Sequence, residues 1–451
     1  MKNRNELFLC LLWTIFVAVP SLGAAADKSD RPPNVVMIMA DDIGVECLGC
    51  YGSEQYATPH LDGLAQQGMR FENAHAQPIC TPSRVQLMTG IYNNRNYLRF
   101  GVLDPAAYTF GNALRGAGYA TCIAGKWQLG GGFDGPRRFG FDRYCLWQLT
   151  RRPSRYPNPG FEIDGREVDF KEGQFGPDVA SDYINSFISE HADRPFFVYY
   201  PMIAPHWPFV PTPDHPDWDP TMWRDKKSEP GGYKDDKYWD AMVRYTDKVV
   251  GKVVDHLDAC GLADNTLVMW TGDNGTYQSV TSQWRGRDYV GGKGRTTDNG
   301  THVGFLARWP GVIEPGSVSD TLVDFSDVFP TLLEVTGVKR PTPGKLSGVS
   351  LLPAFTGQAR KKPVIYCWYE RNGVRDQASE HVRTATHKLY ADGRFYDVQN
   401  DWGEKHDLAA EPVSGSLREI HAKLEQELDK HRQMTLQADP ILSQRRQAYP
   451  R

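Results

Sequence analysis

Short runs of apolar residues, each leading to a polar motif within about six residues, recur along the chain and predict buried strands. The clearest run covers residues 34–39 (Asn-Val-Val-Met-Ile-Met) and leads into a pair of aspartates. Residues 118–124, 196–200 and 265–270 repeat this pattern. Continuous apolar runs without polar alternation are typical of strands in an α/β sheet whose two faces are both covered. The pattern therefore predicts an α/β domain built on such strands.

Apolar residues at helical spacing predict helices between these strands. The longest such segment covers residues 236–260, and its apolar stripe consists of Met242, Tyr245, Val249, Val253 and Leu257. A stripe of this kind packs into a core. Thr58 and Pro59 have the residue types of a helix start, and the helix they begin should close at Gly68.

The C-terminal part of the chain has a different pattern. From about Pro363 onward, short strand-like segments are followed by a polar helix, which we predict over residues 417–434. Short strands in series with one helix predict a small antiparallel sheet with that helix packed on it. We therefore expect a catalytic domain over residues 27–358 and a C-terminal subdomain over residues 359–451.

The first 26 residues have the pattern of a secretory signal peptide. A basic start is followed by an apolar run over residues 7–20 and by small residues before Asp27. The apolar run is shorter than a bilayer span, which favours a cleaved signal peptide (residues 1–26) over an uncleaved N-terminal anchor. We therefore expect an exported protein, periplasmic or extracellular, with no membrane attachment after signal cleavage.

The overall charge is nearly balanced, with 51 Lys and Arg residues, 55 Asp and Glu residues and a net charge of -4. Without a basic field, a nucleic-acid partner has no electrostatic support, and local cations must bind any anionic substrate. Of the eight cysteines, Cys10 leaves with the signal peptide, and the odd remainder indicates one cysteine with a role of its own. Cys47 and Cys50 have C-x-x-C spacing, for which a local disulfide and two buried thiols both stay open.

The most distinctive stretch of the chain is Cys80-Thr81-Pro82-Ser83-Arg84, followed by Leu87, Thr89 and Gly90. Pro82 in the first turn and Gly90 at the end predict a short helix whose positive N-terminal end faces Cys80. An anion would be stabilised there. The stretch resembles the C-x-P-S-R-x-x-L-x-T-G signature of the type I sulfatases, which belong to the alkaline phosphatase superfamily. Their cysteine is oxidised after synthesis to formylglycine, an aldehyde that hydrates to a gem-diol.

Oxygen donors follow two of the predicted strands. Asp41 and Asp42 end the first strand, and Asp273 and Asn274 follow the strand over residues 265–270. Open parallel sheets bind ligands at the carboxyl ends of their strands, so we expect these four side chains to meet. Carboxylate and amide oxygens suit calcium or magnesium and disfavour zinc. The resemblance favours Ca2+ over Mg2+ and implies that residue 80, as modified cysteine, joins the metal ligands.

The resemblance extends over nearly the whole chain after the signal peptide. It implies an alkaline phosphatase-like α/β fold, with a large mixed, mostly parallel sheet flanked by helices and a smaller C-terminal antiparallel sheet plus helix. The catalytic positions that it implies are Cys80, Arg84, Lys126, Gln128, His206 and Lys293. By the same resemblance Lys126 and Lys293 would bind the sulfate oxygens, and His206 would contact or protonate the leaving-group oxygen. Arg84 would orient the nucleophile.

The chemistry of this family requires a modified residue. One hydroxyl of the hydrated aldehyde attacks sulfur, and the second then expels sulfate and regenerates the aldehyde. An ordinary serine or cysteine has no second hydroxyl and would stay trapped. The resemblance therefore implies a formylglycine-generating or sulfatase-maturating enzyme as a partner.

Gln128 departs from the family pattern. The family has Gly-Lys-Trp-His-x-Gly where this chain has Gly-Lys-Trp-Gln-Leu-Gly over residues 125–130. Glutamine can hydrogen-bond but does not titrate near neutral pH. Two hypotheses follow: another base, such as His302 or Asp273, serves sulfate release, or turnover is slow.

Abundant aromatic residues in an exported sulfatase favour sulfated carbohydrate as the substrate, because aromatic faces stack on sugars. The chain has 12 Trp and 21 Tyr residues. Candidate substrate-binding residues are Arg151, Trp207 and His302. Arg152, Arg155 and Trp284 also lie in loops after the core motifs and could shape the subsites. Two alternatives stay open: a phosphonate or phosphodiester hydrolase of the same superfamily, and a weakened sulfatase-like protein that binds sulfated glycans.

Overall fold

The structure, a computed structural model, describes residues 31–226, 236–339 and 346–448. The signal peptide predicted over residues 1–26 lies outside these ranges and therefore stays a prediction. Among the described residues, no helix combines the length and the apolar character needed to cross a membrane.

The described residues contain sixteen strands: β1 (Asn34–Ala40), β2 (Met69–His75), β3 (Ala120–Lys126), β4 (Arg143–Trp147), β5 (Gly160–Ile163), β6 (Arg166–Asp169), β7 (Phe196–Pro201), β8 (Thr266–Gly272), β9 (Thr281–Trp284), β10 (Arg287–Val290), β11 (Phe305–Arg308), β12 (Ser317–Asp324), β13 (Ile365–Tyr369), β14 (Ser379–Arg383), β15 (His387–Tyr390) and β16 (Phe395–Asp397). The α-helices of the same ranges are α1 (Pro59–Gln66), α2 (Cys80–Thr89), α3 (Phe110–Gly116), α4 (Gly135–Arg138), α5 (Gly176–Glu190), α6 (Trp239–Ala259), α7 (Asp298–Thr301), α8 (Val328–Thr336), α9 (Leu352–Phe355) and α10 (Ser416–Ala448).

Ten of these strands form one mixed sheet in the order β12-β2-β11-β8-β1-β7-β3-β4-β5-β6. Its centre, from β8 to β4, is parallel throughout. Antiparallel pairs involve β11 on one side and β5 and β6 on the other, and β12 runs parallel to β2. The predicted fold class, with a large mixed and mostly parallel sheet flanked by helices, is confirmed. The carboxyl ends of β1, β3, β7 and β8 therefore share one edge.

Strand β1 is buried at every position, because both faces of the sheet are covered. Val35, Met37 and Met39 belong to the core on one face, whereas Val36 and Ile38 belong to the core on the other. This is the physical reason for the apolar run without polar alternation. The predicted apolar stripe of α6 is buried as well.

The described C-terminal residues form a four-stranded antiparallel sheet, β13-β14-β15-β16, with α10 packed on it. The predicted end of this helix at residue 434 was wrong, because α10 continues through Leu442, which is buried. Arg445 binds Asp104 there, and Arg446 donates to the Leu98 carbonyl, so contacts with distant residues extend the helix. The predicted domain boundary falls between the two sheets and stays a prediction.

The cysteines of the described residues are all free thiols. Cys47 is buried and Cys50 is half-buried, and no disulfide joins them. The C-x-x-C spacing was compatible with a disulfide or with two thiols, and the structure has two free thiols.

Candidate active site

The carboxyl ends of β1 and β8 lie side by side and bring the four predicted oxygen donors together. The last residues of the two strands are register partners, so Asp41 and Asp42 begin one loop beside Asp273 and Asn274 in the other. The backbone N–H of Asp42 donates to Asp273 Oδ1 (3.0 Å), and Asn274 Nδ2 donates to Asp42 Oδ1 (2.8 Å). Asp42 has a left-handed backbone (φ +67°), which aspartate tolerates better than most residues. All four side chains are buried.

Helix α2 brings Cys80 to these carboxylates. Cys80 is its first residue, and its Sγ lies 3.4 Å from Asp41 Oδ1 and 3.8 Å from Asp42 Oδ1. Ser83 Oγ donates to the backbone carbonyl of Asp273 (2.5 Å), which fixes the first turn of the helix against the end of β8. Every residue of α2 is buried, so the helix is held on all sides by the core. The predicted helix is confirmed.

Lys126 and Arg84 place two buried cations against the same carboxylates. Lys126 ends β3, and its Nζ donates to both oxygens of Asp41 (2.9 and 2.7 Å). Arg84 Nη1 donates to the Lys126 carbonyl (3.0 Å), and its Nη2 donates to Asp273 Oδ2 (3.3 Å). Only 1% of each cationic side chain is exposed. Water therefore screens these charges little.

Lys293 and His206 approach the cluster from two loops. Lys293 Nζ donates to Asp42 Oδ2 (2.5 Å) and lies 3.1 Å from His206 Nε2. The Nδ1 of His206 contacts the carbonyl of Trp207. Burial and the positive charge of Lys293 hold the pKa of His206 well below its usual range. The imidazole is therefore neutral, with Nδ1–H donating to Trp207 and Nε2 accepting from Lys293.

Asp41 and Asp273 share one buried site, and their pKa values move in opposite directions. Burial raises the pKa of Asp41, but nearby positive charges, that of Lys126 foremost, outweigh burial and hold this pKa well below its usual range. Burial and then the negative charge of Asp41 raise the pKa of Asp273 to about 7. Two carboxylates this close ionise together only at a cost. A cation bound between them would remove that cost.

The donor set fits a hard divalent cation. The ligating atoms of Asp41, Asp42, Cys80 and His206 all lie within 4.8 Å of one another. Asn274 Oδ1 is buried and accepts no hydrogen bond from the described residues, which is costly for an amide oxygen unless a ligand binds it. Carboxylate and amide oxygens are the ligands that calcium and magnesium prefer. The ends of β1 and β8 can therefore hold such a cation beside Cys80.

Gln128 and Trp207 lie one or two residues after members of the cluster in the sequence. Gln128 comes two residues after Lys126, has a left-handed backbone (φ +54°), and keeps its Oε1 buried without a hydrogen-bond partner among the described residues. Trp207 follows His206, and within the same part of the chain its buried Nε1 likewise has no partner. Both side chains therefore retain polar atoms for a ligand.

Arg151 and His302 make their contacts elsewhere. Arg151 forms ion pairs with three carboxylates, those of Glu162 (3.0 Å), Glu167 (3.5 Å) and Asp169 (2.6 Å). His302 Nε2 lies 2.9 Å from the Glu72 carbonyl, and its ring stacks on His75 with centroids 5.0 Å apart. None of these contacts involves a residue of the cluster around Cys80.

Arg155, in the same loop as Arg151, does reach the cluster. Arg155 is 1% exposed, and its Nη1 lies 3.9 Å from Asp41 Oδ2. Its guanidinium carbon lies 3.9 Å from the centroid of the Trp147 ring. Arg151 and Arg155 belong to one polar loop, and no spacing in the sequence indicates which of the two turns inward.

Two family models match the chain. The Sulfatase model matches residues 33–338, a range that holds the large sheet and all the predicted oxygen donors. A second model, described as N-sulphoglucosamine sulphohydrolase, C-terminal, matches residues 293–434, which include the four-stranded sheet.

Named proteins and a solved structure are similar to the chain over most of its length. It is 30% identical over 393 residues to N-acetylgalactosamine-6-sulfatase of Sus scrofa, covering 78% of this chain and 72% of that protein. It is 31% identical over 391 residues to arylsulfatase A of Bos taurus, covering 77% and 72%. The solved structure of Ps i-CgsB, also determined in complex with k-i-k-neocarrahexaose, has a TM-score of 0.75 and 27% identity, covering 93% of this chain and 98% of that one.

Proposed function

The chain belongs to the sulfatase family, and from this premise we propose that it is an exported sulfatase that removes sulfate from sulfated carbohydrate, using a divalent cation and a formylglycine formed from Cys80. The observation that carries the proposal is the position of Cys80 Sγ, 3.4 Å from Asp41 inside a buried cluster of cations and oxygen donors. Fixed cations in a water-poor site are what the transfer of an anionic sulfate group needs.

Asp41, Asp42, Asp273 and Asn274 would hold the cation, with Ca2+ expected and Mg2+ as the alternative. A bound divalent cation polarises a sulfate oxygen and lowers the pKa of a hydroxyl beside it. Lys126 stabilises the ionised form of Asp41, which is the form that binds a cation.

A plain thiol at position 80 would be a poor nucleophile. Burial, and then the negative charge of Asp273, raises the pKa of the Cys80 thiol, so the reactive thiolate is not formed. The hydrated aldehyde of formylglycine supplies one hydroxyl for attack on sulfur and a second for release of sulfate. We therefore infer that a formylglycine-generating or sulfatase-maturating enzyme converts Cys80.

The cations of the site would bind and orient the sulfate group. An ammonium carries three N–H groups, so Lys126 and Lys293 can each donate to a sulfate oxygen while they keep their carboxylates. Arg84 holds the first turn of α2 in place through its bonds to the Lys126 carbonyl and to Asp273. Lys293 donates to His206 Nε2 and so orients this imidazole, which would contact the leaving-group oxygen.

Sulfated carbohydrate is the proposed substrate class. One similar protein is named as an N-acetylgalactosamine-6-sulfatase, and the neighbour Ps i-CgsB was determined with k-i-k-neocarrahexaose. In this chain, the half-buried Trp207 directly follows His206, and its ring is the aromatic group that would stack on a sugar.

Release of inorganic sulfate tests the proposal. The protein is produced with a maturating enzyme, loaded with calcium, and assayed on sulfated oligosaccharides, on nitrophenyl sulfate and on bis(nitrophenyl) phosphate. We expect turnover of the sulfate esters that is lost in Cys80→Ala and on chelation, and slower hydrolysis of the phosphodiester. Faster hydrolysis of the phosphodiester, or binding of sulfated oligosaccharides without turnover, would count against the proposed function.

A further inference from the structure

A separate cavity lies beside the hairpin formed by β9 and β10 and is termed here the hairpin cavity. It has a volume of about 180 Å³, and its walls include Trp284, Arg285, Arg287, Tyr289, His302 and Trp402. Among the described residues, no hydrogen bond or ion pair joins these side chains to the cluster around Cys80. Pockets for drug-sized ligands have volumes of roughly 300–1,000 Å³, so this smaller cavity suits a single sugar ring.

A two-residue turn places the arginines of the hairpin cavity. Arg285 and Gly286 join β9 to β10, and both have left-handed backbones (φ +50° and +75°). This combination is typical of the type I′ turn, whose twist matches that of the two strands. The turn makes Trp284 and Arg287 register partners, so their side chains share one face of the hairpin. Both arginines therefore lie next to the indole of Trp284.

Aromatic rings hold the guanidinium of Arg287 in place. Its carbon lies 5.0 Å from the centroid of the Trp284 ring and 5.2 Å from that of the Trp402 ring. Trp402 in turn stacks on Tyr289 with centroids 4.6 Å apart. A guanidinium that lies over aromatic rings keeps N–H groups for planar, bidentate recognition of an anion. Arg287 is exposed, so these groups can be reached from solution.

Polar groups complete the wall of the hairpin cavity. Arg285 donates to the Tyr51 carbonyl (3.1 Å) and pairs with Glu72 (3.3 Å). His302, one of the predicted substrate-binding residues, has its Nε2 2.9 Å from the Glu72 carbonyl. Burial lowers the pKa of His302, so its ring is neutral, and with Nε2–H donating to that carbonyl its Nδ1 is an acceptor. Aromatic surface, guanidinium donors and a neutral acceptor therefore line one small cavity.

We propose that the hairpin cavity binds a sulfated sugar unit of the carbohydrate substrate outside the active site. The inference rests on the function proposed above and adds a second binding site to it. The sugar ring packs on the half-buried indole of Trp402, and the sulfate group binds Arg287, because a planar guanidinium can donate to two oxygens of one anion. The chain leaves the active site at Asn274, forms the hairpin and returns at Lys293. The hairpin thereby adds affinity for a sulfated chain without touching the sulfate group that is removed.

Binding of short-chain dextran sulfate to the calcium-loaded full chain tests this site. Titration calorimetry compares the wild type with Arg287→Ala, Trp402→Ala and the control Arg394→Ala. Arg394 is also exposed and lies over an aromatic ring, that of Tyr390 (4.4 Å), but it does not line the cavity. We expect Arg287→Ala to weaken binding about 10-fold and Trp402→Ala about 3- to 10-fold. Arg394→Ala should stay within about twofold of the wild type.

Two further polymers show which chemistry the hairpin cavity recognises. Unsulfated dextran presents the sugar without the charge, and polyglutamate presents negative charge without the sugar. Both should bind at least about 10-fold more weakly than dextran sulfate, because each lacks one of the two contacts. Polyglutamate binding that equals dextran sulfate binding and is lost to the same degree in Arg287→Ala would overturn the assignment to a carbohydrate.

Steady-state kinetics on nitrophenyl sulfate separate a remote binding site from a residue that supports the fold. The kcat and KM of Arg287→Ala on this small substrate should equal those of the wild type, because it occupies the active site alone. Wild-type affinity for dextran sulfate in folded Arg287→Ala, or no binding of dextran sulfate by the wild type, would overturn the inference. If Arg287→Ala does not fold, Arg287→Gln decides, and wild-type affinity in that variant would overturn it. Binding that depends on Arg287 but is accompanied by no turnover of any sulfate ester would instead count against the proposed function alone.

Discussion

Two buried clusters of charged residues lie along helix α2 and differ in how completely their polar atoms are hydrogen-bonded. The site cluster surrounds Cys80, the first residue of the helix. In the second cluster, Asp324 accepts a hydrogen bond from Gln86, which lies in the middle of the helix. The second one, termed here the anchor cluster, consists of Asp324, Asp327, Arg360 and Lys362. In it, two carboxylates face two cations at distances of 2.6 and 2.7 Å.

Hydrogen bonds complete the anchor cluster but not the site cluster. Besides its ion pair, Asp324 accepts from the Tyr92 hydroxyl (3.1 Å), and Asp327 accepts from the Val349 N–H (2.8 Å). In the site cluster, Asn274 Oδ1 has no hydrogen-bond partner among the described residues. Removing one partner from a matched set of buried charges destabilises a fold, whereas an unmatched buried polar atom costs stability and persists where a ligand completes it.

The largest effect is expected at the reacting residue of the site cluster. Cys80→Ala removes the side chain that we propose reacts with sulfur, so turnover of nitrophenyl sulfate should fall about 10⁴-fold or more. The thermal unfolding midpoint should change little, because no charge pair is broken. Cys367→Ala is the control, since Cys367 is also a buried free thiol and donates to Gln77 instead of facing the site. Turnover that survives in Cys80→Ala but not in Cys367→Ala would reverse this assignment.

Breaking the anchor cluster should lower the stability of the protein and leave its activity unchanged. Lys362→Met leaves two buried carboxylates short of a cation and should lower the free energy of unfolding by about 3–5 kcal/mol. The specific activity of the folded protein should stay the same. Denaturant unfolding measures the first quantity, and Lys361→Met is the control, because Lys361 is exposed and should matter by no more than about 0.5 kcal/mol. Similar losses in the two variants would remove the distinction between the clusters.

Calcium should stabilise the protein through the site cluster alone. At a calcium concentration about 100 times its Kd, the free energy of unfolding should rise by about 2.7 kcal/mol relative to chelated protein. Asp42→Asn keeps the size of the side chain but replaces a charged ligand, and one of its two acceptor oxygens, by a neutral amide, so most of this rise should disappear. Lys362→Met should retain it. Thermal unfolding with and without calcium measures the rise, and its absence from the wild type would show that the oxygen donors bind no calcium.

The smallest effect is expected at Gln128. Gln128→His introduces a ring that titrates near neutral pH, and if sulfate release is slow, turnover should rise several-fold above the pKa of the new imidazole. Gln148→His is a matched control, because Gln148 also has a left-handed backbone (φ +62°) and a buried Oε1 without a partner in the described part of the chain. Pre-steady-state bursts on nitrophenyl sulfate follow the release step. No rise in turnover would mean that another group already serves as the base.

Much of the site cluster could be predicted because its residues lie at the ends of regular elements. The apolar runs of β1 and β8 pass directly into Asp41 and Asp273, and parallel strands end at the same edge of a sheet. Lys126 is the last residue of β3, and Cys80 is the first residue of α2. The strand pattern predicted the oxygen donors, whereas the roles of Cys80 and Lys126 were predicted from the resemblance of their motifs to the sulfatase family.

Loop residues could not be predicted in the same way, because their direction depends on distant packing. Arg151 and Arg155 belong to one loop, yet Arg151 pairs with carboxylates of β5 and β6 while Arg155 turns inward under Trp147. The extension of α10 beyond residue 434 has the same cause, since its last turns bind Asp104 far along the chain. The sequence around such a residue does not show which distant residues it will contact.

The most direct test of the proposed mechanism is the chemical state of residue 80. Mass spectrometry of the peptide that contains Cys80, from preparations made with different amounts of maturating enzyme, measures the fraction of thiol converted to aldehyde. We predict that turnover of nitrophenyl sulfate rises in proportion to this fraction. Full turnover by protein in which residue 80 is entirely an unmodified thiol would contradict the mechanism.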